Sequence, residues 1–330
     1  MTSLPGLRIG HASDDALKSG VTVLIADEPA IAAVHVAGGA PASRETDLLR
    51  PGNLVESVDA IVLTGGSAFG LAAADGAMEW LAAHGRGFAV SGTRVPIVPA
   101  AALFDLANGG DKARTKSTSA RSTYHALAHA ACDAAGDDAA EGSVGAGTGA
   151  TTADLKGGFG AAGTVLADGT RVAAFAAANS VGSVTLGSTP YFRAAPFEHD
   201  GEFGGLGLPS PLPPDADAVV TKRPVEAGAN TTLAVVATDC TLTRAEARRL
   251  AMVAHDGMAL AIFPAHTPFD GDTVFTLATG RRQGSRTPQD LMALCAAATT
   301  TLARAIARAV YAAEPAPGDR LPTWRERYGG

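Results

Sequence analysis

The chain has 330 residues, which is enough for one large domain or two ordinary ones with a substantial core. Apolar residues make up 46% of the chain and charged residues 18%, a composition that excludes a disordered protein and indicates a compact one. The formal net charge is −7 and basic residues cluster only in short pairs such as Arg248-Arg249, so a nucleic-acid partner is not expected.

Targeting and redox signals are weak along the whole chain. The N-terminal stretch MTSLPGLRIGHASDD lacks a basic region followed by an apolar one, and no uninterrupted apolar run reaches the roughly 18 to 20 residues that span a bilayer. We therefore expect a cytoplasmic protein with no membrane partner. Cys132, Cys240 and Cys295 are far apart and odd in number, which favours free thiols over disulfides or a structural zinc site.

The N-terminal third predicts two kinds of local structure. Two apolar, β-rich runs at 21–25 and 31–36, separated by ADEPA, predict a hairpin-like pair of strands. The segment DAIVLTGG at 59–66 then predicts a strand that enters a glycine turn, and Ser67 is predicted to cap the helix that follows.

Two glycine-rich stretches are candidates for backbone binding sites. In GGSAFG, the N–H groups of Gly65, Gly66 and Ser67 could hold an anion or an oxyanion at a helix start, although tight-turn packing explains the same residues. The stretch matches neither a P-loop, a dinucleotide fingerprint nor a nucleophile elbow. In the second stretch, 142–160, Lys156 stands among small residues and is either a surface lysine or part of a site.

Local signals continue towards the C-terminus. Asp168-Gly169 between two apolar runs predicts a hairpin. Thr243, with a glutamate three residues later, and Thr287, followed by a proline, predict the starts of two helices. With the strand predicted at 270–280, the C-terminal third is expected to run strand, helix, strand, helix.

The histidines do not predict a metal site. His125 and His129 have helical i, i+4 spacing, but no further ligand nearby completes a set. His255 and His266 are interpreted as structural residues or as lining of a pocket. We therefore expect neither a metal nor a cofactor.

Asp270 and Asp272 lie two residues apart in PFDGDTVF, at the entrance of a predicted strand. In an extended segment both carboxylates would point to one side. Asp-Gly is also ordinary turn chemistry, so a turn and a functional site remain equally open on this pair alone.

The stretch EAGANTTLAVVATD at 226–239 joins a small, flexible run to a predicted buried strand that begins at Thr231. Threonine suits strand ends, which is the structural interpretation. The alternative is that Thr231 is a nucleophile activated by its own α-amine, whose pKa is about 7.7 to 8.0 once it is free. This alternative requires cleavage between Asn230 and Thr231, by an N-to-O acyl shift and then hydrolysis.

These motifs resemble those of the self-processing aminopeptidases, a family that includes the L-aminopeptidase/D-amino-acid esterase, the β-peptidyl aminopeptidases and the nylon-oligomer hydrolase. The resemblance extends over most of the chain and is carried by GGAPASRETDLL, LTGGSAFGLAAADGAMEWL, GTGATTADLKGG, NTTLAVVATD and AHTPFDGDTVFTLATG. It implies an α/β fold with four αββα layers, of the N-terminal-nucleophile-hydrolase type. It also implies a single catalytic domain, 1–330, that cleaves itself into 1–230 and 231–330.

The resemblance assigns roles to particular residues. It implies that Thr231 is the nucleophile, as in the nylon-oligomer hydrolase branch, and that Lys156 and Asn179 assist at the reacting carbonyl and the nucleophile. It further implies that Asp270 and Asp272 orient or charge-balance the new N-terminus. Without the resemblance, Asn179 carries no signal of its own.

Two departures from the family limit what is carried over. Serine-dependent members have serine and glutamate in place of Asp270 and Asp272, and some have a tyrosine where this chain has Phe104. Substrate choice and oxyanion stabilisation are therefore not transferred, and Phe104 is kept as a candidate substrate or oxyanion contact.

The predicted function is an amidohydrolase or aminopeptidase that acts on small peptides, amides or esters through an acyl-enzyme, as a homo-oligomer of cleaved protomers. Two other functions remain open. One is an acyltransferase of the ornithine acetyltransferase type, which would also use a self-released threonine. The other is a non-enzymatic scaffold that is never cleaved.

Overall fold

The computed structural model describes residues 3–113, 119–222, 230–284 and 286–329, except for the side chains of 119–121. The strands are β1 (Leu7–Asp14), β2 (Ser19–Val36), β3 (Ala42–Arg44), β4 (Ser57–Thr64), β5 (Phe88–Val90), β6 (Thr93–Val95), β7 (Ala100–Ala102), β8 (Gly158–Val165), β9 (Arg171–Asn179), β10 (Thr231–Cys240) and β11 (Thr273–Arg282). The helices are α1 (Ser67–Gly70), α2 (Ala73–Ala83), α3 (Ser119–Asp133), α4 (Arg244–Ala261), α5 (Pro288–Tyr311) and α6 (Trp324–Tyr328), with 3₁₀ turns at Asp47–Leu49, Gly145–Gly147 and Ala195–Phe197.

A nine-stranded mixed sheet organises the fold. Its strands are hydrogen-bonded in the order β3-β7-β4-β2-β11-β10-β9-β8, with β1 also paired to β2, and β5 and β6 form a separate pair. The first part of β2 pairs with β1 and β4, and its last six residues pair with β11. The long β2 strand therefore joins two halves of the sheet.

Three layers of apolar side chains separate four layers of backbone. Inward-facing residues from both halves of the sheet, such as Leu63 of β4 and Val235 of β10, share one cluster. Side chains on the opposite faces pack under α4 and α5 in a second cluster and against α2 and α3 in a third. The predicted αββα layering is present, and its two sheets are the halves of one sheet that continues through β2.

The predicted hairpin at 21–25 and 31–36 is wrong, because both runs belong to the single strand β2. The pairing with β4 shifts register between Ile25 and Ala30. This irregularity accommodates the polar run between them, including Pro29, which has no N–H to give to a ladder.

The predicted cap at Ser67 is also wrong. The N-cap of α1 is Gly66, at φ 81°, and Ser67 itself has φ 53° with no side-chain capping bond. These left-handed residues form the turn that precedes α1. Helix α1 is a single turn, and Leu71 and Ala72, both right-handed, connect it to α2 at Ala73.

Other local predictions are confirmed. Asp168-Gly169 lies in the turn between the antiparallel strands β8 and β9, with Gly169 at φ 87°. Thr243 and Thr287 each cap a helix through a complete capping box, which opens α4 and α5. These starts depend on contacts within four residues, so the local sequence is sufficient to specify them.

Helix α5 is long and apolar enough to cross a bilayer by length and composition, and 56% of its most apolar window is buried within the protein. It packs on α4, β8 and β9 and contributes Leu302 and Ile306 to the core. That position is typical of a core helix. The length and composition of α5 are therefore weak evidence that it spans a membrane.

Candidate functional site

Thr231 is the first residue of β10 and is 2% exposed. Strand β10 lies between β9, to which it is antiparallel, and β11, to which it is parallel. Residue 179 of β9 is directly opposite Thr231. Because directly paired residues project to the same face of a sheet, Asn179 and Thr231 have their side chains on one face.

The carbonyl group that precedes Thr231 is held by two donors. The Thr231 hydroxyl lies 2.5 Å from the carbonyl oxygen of Asn230, and the Gly271 N–H donates to the same oxygen at 2.8 Å. Asn230 is fully buried, and the nitrogen and oxygen of its carboxamide have no hydrogen-bond partner among the described residues. The Asn230-Thr231 peptide bond is thus buried, with its carbonyl oxygen polarised.

Asp270 is buried beside this bond, and residue 230 forms an isolated parallel bridge with it. One carboxylate oxygen accepts the N–H of Val181 at 3.3 Å; the other accepts the N–H and hydroxyl of Thr267 at 2.9 and 2.6 Å. Burial, and then the nearby negative charge of Asp272, raise the pKa of Asp270.

Asp272 is equally buried and contacts the residue after Thr231. Its Oδ1 accepts the N–H of Thr232 at 2.8 Å, while its Oδ2 accepts the N–H of His266 at 3.0 Å and lies 2.8 Å from the Nδ1 of that histidine. The structure therefore brings both predicted carboxylates to the start of β10, at the end of the loop that leads into β11.

The Asn179 carboxamide is fixed at both ends. Its Oδ1 accepts the N–H of Thr151 at 3.0 Å and lies 3.4 Å from the Nζ of Lys222, and its Nδ2 donates to the carbonyl of Phe104 at 3.0 Å. Phe104 therefore reaches this cluster through its backbone. The second N–H of Nδ2 has no acceptor among the described contacts.

Lys156 is buried, but its ammonium group faces away from this cluster in its described contacts. It donates at 2.7 Å to both a carboxylate oxygen of Asp319 and the carbonyl of Glu314, and Lys18 also pairs with Asp319. The connection from Lys156 to the site runs through backbone, because residues 151 and 156 form a β-bridge and the Thr151 N–H binds Asn179.

The N–H groups of the glycine turn have partners within the protein. Gly65 donates to a carbonyl of β2 at 2.9 Å, Gly66 to a carboxylate oxygen of Asp105 at 3.0 Å, and Ser67 to the carbonyl of Leu103 at 2.8 Å. An oxyanion would have to displace one of these acceptors. The contacts agree with the tight-turn interpretation.

Three members of the cluster were missed as site residues in the sequence: Lys222, His266 and Gly271. Burial lowers the pKa of Lys222 to about 7, against the opposing effect of the charge on Asp270. His266 was noted only as structural or pocket-lining, and Gly271 only as part of an Asp-Gly turn. Gly271 adjoins both predicted aspartates, but no local pattern indicates Lys222.

In the part of the chain that the structure describes, no group of three or more His, Cys, Asp or Glu side chains is arranged to hold a metal ion. Cys132 and Cys240 are buried free thiols and Cys295 is a half-buried one.

Comparison with known proteins identifies relatives over the full length. The family model described as peptidase family S58 matches residues 1–322. An uncharacterized aminopeptidase of Mycobacterium leprae is 44% identical over 350 aligned positions, which cover 100% of this chain and 94% of the relative. An uncharacterized aminopeptidase of Mycobacterium bovis is 42% identical, covering 100% and 98%.

Solved structures share the fold at lower identity. The β-aminopeptidase of a Burkholderia species superposes with a TM-score of 0.66 at 22% identity, over 98% of this chain and 90% of its own. The L-aminopeptidase D-Ala-esterase/amidase of Ochrobactrum anthropi superposes with a TM-score of 0.69 at 20% identity, over 99% and 92%, and is described as a variant of the Ntn hydrolase fold. The predicted fold class is confirmed by this likeness.

Proposed function

Because this chain belongs to peptidase family S58, and is therefore a hydrolase of peptide or amide bonds, we propose that it is a self-processing aminopeptidase whose nucleophile is Thr231. The observation that carries the proposal is the buried Asn230 carbonyl, which is held between the Thr231 hydroxyl at 2.5 Å and the Gly271 N–H at 2.8 Å. A nucleophile, an electrophile and an oxyanion donor are thus together before any cleavage.

In the proposed self-cleavage, the Thr231 hydroxyl oxygen bonds to the carbonyl carbon of Asn230. The Gly271 N–H stabilises the charge that develops on the carbonyl oxygen. The C–N bond to Thr231 then breaks, and the hydroxyl proton goes to the departing amine. Water hydrolyses the resulting ester, which leaves a carboxylate on Asn230 and a free amine and hydroxyl on Thr231.

In the mature enzyme, the freed α-amine of Thr231 acts as the base for its own hydroxyl, which attacks the carbonyl of an amino-terminal amide, peptide or ester. The substrate's leaving group departs with a proton, and water releases the acyl group. We assign Asn179 as a donor to the reacting oxygen, since its side chain shares a face with Thr231.

The two carboxylates have separate roles in this proposal. Asp272 holds the N–H of Thr232 and so fixes the start of β10. Asp270, beside residue 230 and facing the charge of Lys222, balances the positive charge of the new N-terminus. Lys156 acts indirectly, by keeping the bridge to residue 151 that orients Asn179.

Intact-mass spectrometry under denaturing conditions tests the proposal. We expect the parent to give chains 1–230 and 231–330, Thr231→Ser to be cleaved at the same bond, and Thr231→Ala to remain one chain. Thr232→Val is the matched control, because it changes the next residue of the same strand, whose side chain projects to the opposite face. We expect this control to be cleaved. A parent chain that is not cleaved would favour the scaffold alternative.

An activity assay of the cleaved protein distinguishes acyl transfer from hydrolysis. With an amino acid p-nitroanilide that has a free amino group as substrate, a hydrolase releases nitroaniline at a rate that does not depend on added amine. A transferase requires an amine acceptor for turnover. Light scattering on the cleaved protein measures whether it forms the oligomer that the sequence resemblance suggests.

A further inference from the structure

His266 makes three contacts in the loop before β11. Its backbone N–H donates to Oδ2 of Asp272 at 3.0 Å, its Nδ1 lies 2.8 Å from the same oxygen, and its Nε2 lies 3.3 Å from the carbonyl oxygen of His255. A carbonyl oxygen and an ionised carboxylate oxygen can only accept. A neutral imidazole has one N–H and can satisfy one of them, whereas an imidazolium donates to both.

The backbone of His266 is left-handed, at φ 56°. Few residues other than glycine adopt this region, and a residue held there keeps its strained conformation only when its surroundings over-determine it. The three contacts of His266 provide that constraint, and they orient its ring between Asp272 and α4.

The groups around His266 support the charged form. Burial lowers the pKa of His266, but the hydrogen bond and charge of Asp272, with a contribution from Asp270, outweigh this effect and raise it. His255 of α4 lies with its ring centroid 4.8 Å away, and burial lowers its pKa to about 4, so it stays neutral. His35 of β2 packs on the other side of His255, at 4.9 Å, and its pKa is lowered too.

On the basis of the threonine chemistry proposed above, we propose that His266 is a positioning residue: as an imidazolium it holds Oδ2 of Asp272, so that Oδ1 keeps the N–H of Thr232. The start of β10, and with it the Thr231 hydroxyl, is thereby fixed against the Asn230 carbonyl. His266 acts through Asp272 and does not touch the reacting atoms in its described contacts.

The inference predicts a specific change in pH dependence. As pH rises through the raised pKa of His266, the imidazolium loses one of its two donors. The rate of self-cleavage should then have a component that falls over that pH range. The other titratable groups around His266 are Asp270, Asp272, Lys222, His255 and His35. They all remain in a His266 variant, so the pH dependence that such a variant retains is their contribution, including the effect of the lost His266 charge on the pKa of His255 and His35.

The experiment follows self-cleavage of the full chain after cell-free synthesis, from about pH 5.5 to about pH 8.5, by quenched intact mass. His266→Asn is the principal variant, since asparagine tolerates a left-handed backbone and its amide N–H can still donate to Asp272, without a charge. His266→Ala removes both the donor and the charge. His129→Asn replaces a partly exposed histidine of α3, which pairs with Asp133 far from this site in sequence, as the matched control.

We expect His266→Ala to cleave about 10- to 100-fold more slowly, the size of a lost hydrogen bond to a charged group. His266→Asn should recover part of the rate but lose the component that falls as pH rises through the pKa of His266, while His129→Asn keeps the parent profile. If both His266 variants cleave at the parent rate with the parent profile, His266 does not position Asp272 for the reaction, although the proposed self-cleavage stands.

The remaining outcomes are separated by the parent chain, by the choice of variant and by one further measurement. A parent chain that is never cleaved overturns the proposed self-cleavage and this inference with it. If His266→Ala fails to fold, the test rests on His266→Asn alone, because asparagine tolerates the left-handed backbone of residue 266. In the uncleaved Thr231→Ala chain, the ¹⁵N shifts of His266 should report mainly the imidazolium at about pH 6.5, the ordinary pKa of histidine, because the pKa of His266 is raised, and Asp272→Asn should shift it towards the neutral form. A neutral His266 with Asp272 intact would overturn the inference.

Discussion

The backbone N–H of Gly271 points at the carbonyl oxygen of Asn230, 2.8 Å away, across the junction between the loop before β11 and the start of β10. The two residues are 41 positions apart in sequence and meet because β10 and β11 are parallel neighbours. Parallel strands begin at the same edge of a sheet, so the residues that precede each strand lie side by side.

Gly271→Ala should strongly slow self-cleavage. A Cβ at this position would lie 2.5 Å from the Thr231 hydroxyl oxygen, and the backbone of Gly271 is not left-handed, so the effect is steric. We expect cleavage to slow by roughly 100-fold or more, as for other small displacements of a reacting group. Intact mass over time measures it. Gly136→Ala, where a Cβ meets open space, is the matched control, and equal rates in the two variants would contradict the prediction.

Lys222→Met should also slow self-cleavage. The amine, which is charged below its pKa of about 7, lies 3.4 Å from Oδ1 of Asn179. Its loss leaves the Thr151 N–H as the other donor to that oxygen, and removal of the positive charge raises the pKa of Asp270 further. We expect a decrease of about tenfold, consistent with one hydrogen bond from a charged group. Lys222→Arg keeps a positive charge and should recover most of the rate. Parent-like cleavage of Lys222→Met would remove Lys222 from the site.

Lys156→Met should lower both the stability and the cleavage rate. Lys156 and Lys18 hold the pKa of Asp319 below its usual value in spite of burial. Removing Lys156 should cost about 1 to 3 kcal/mol in the free energy of unfolding, measured with urea in the Thr231→Ala background. Lys18→Met removes the other cation of the same carboxylate but leaves residue 156, whose backbone forms the bridge to residue 151, anchored to Asp319 by its side chain. We expect Lys18→Met to lose similar stability but to be cleaved at the parent rate. If Lys18→Met is cleaved slowly too, the slower cleavage is caused by the loss of charge around Asp319 and not by residue 156.

The uncleaved Thr231→Ala chain should lose stability in mild acid. Burial lowers the pKa of His255, and that of His11, from 6.5 to about 4. Between these values the unfolded chain binds more protons, so the free energy of unfolding falls as pH drops from 6.5 towards 4 and levels off below. The loss is on the order of 3 kcal/mol for each histidine. Urea titrations along this range measure it, and His255→Gln should have a shallower dependence; an equal slope would assign the loss to other groups.

Contacts within a few residues were predictable from the sequence. The capping boxes at Thr243 and Thr287 and the turn at Asp168-Gly169 depend on side chains and backbone groups that are close in sequence, and the structure confirms them. The hairpin predicted from the runs at 21–25 and 31–36 was wrong because a polar run with a proline resembles a turn. Long-range pairing with β4 and β11 instead continues one strand through this run, with a shift in register between Ile25 and Ala30.

The site was only partly predictable for the same physical reason. Thr231, Asp270 and Asp272 stand in recognisable motifs, and the structure brings them together. The donor to the Asn230 carbonyl is a backbone N–H, which has no residue-type signal. The pKa of Lys222 is lowered only because folding buries its amine, near Asp270 and Asn179. His266 is distinguished only by its left-handed backbone and by its hydrogen-bond partners.

The order of the sheet has a consequence for how the protein can be made. Strands β11 and β10 both follow residue 230, yet they lie between β2 and β9, which both precede it. In the intact chain, this arrangement forms within one molecule, whose folding does not depend on concentration. If the chain is cleaved after residue 230 as proposed, the same arrangement requires two separate molecules to find each other, so refolding becomes bimolecular and slows on dilution. Under that proposal, a cleaved protein that unfolds has lost the connection that first guided its central strands into place, and we expect it to refold less efficiently than the uncleaved Thr231→Ala chain.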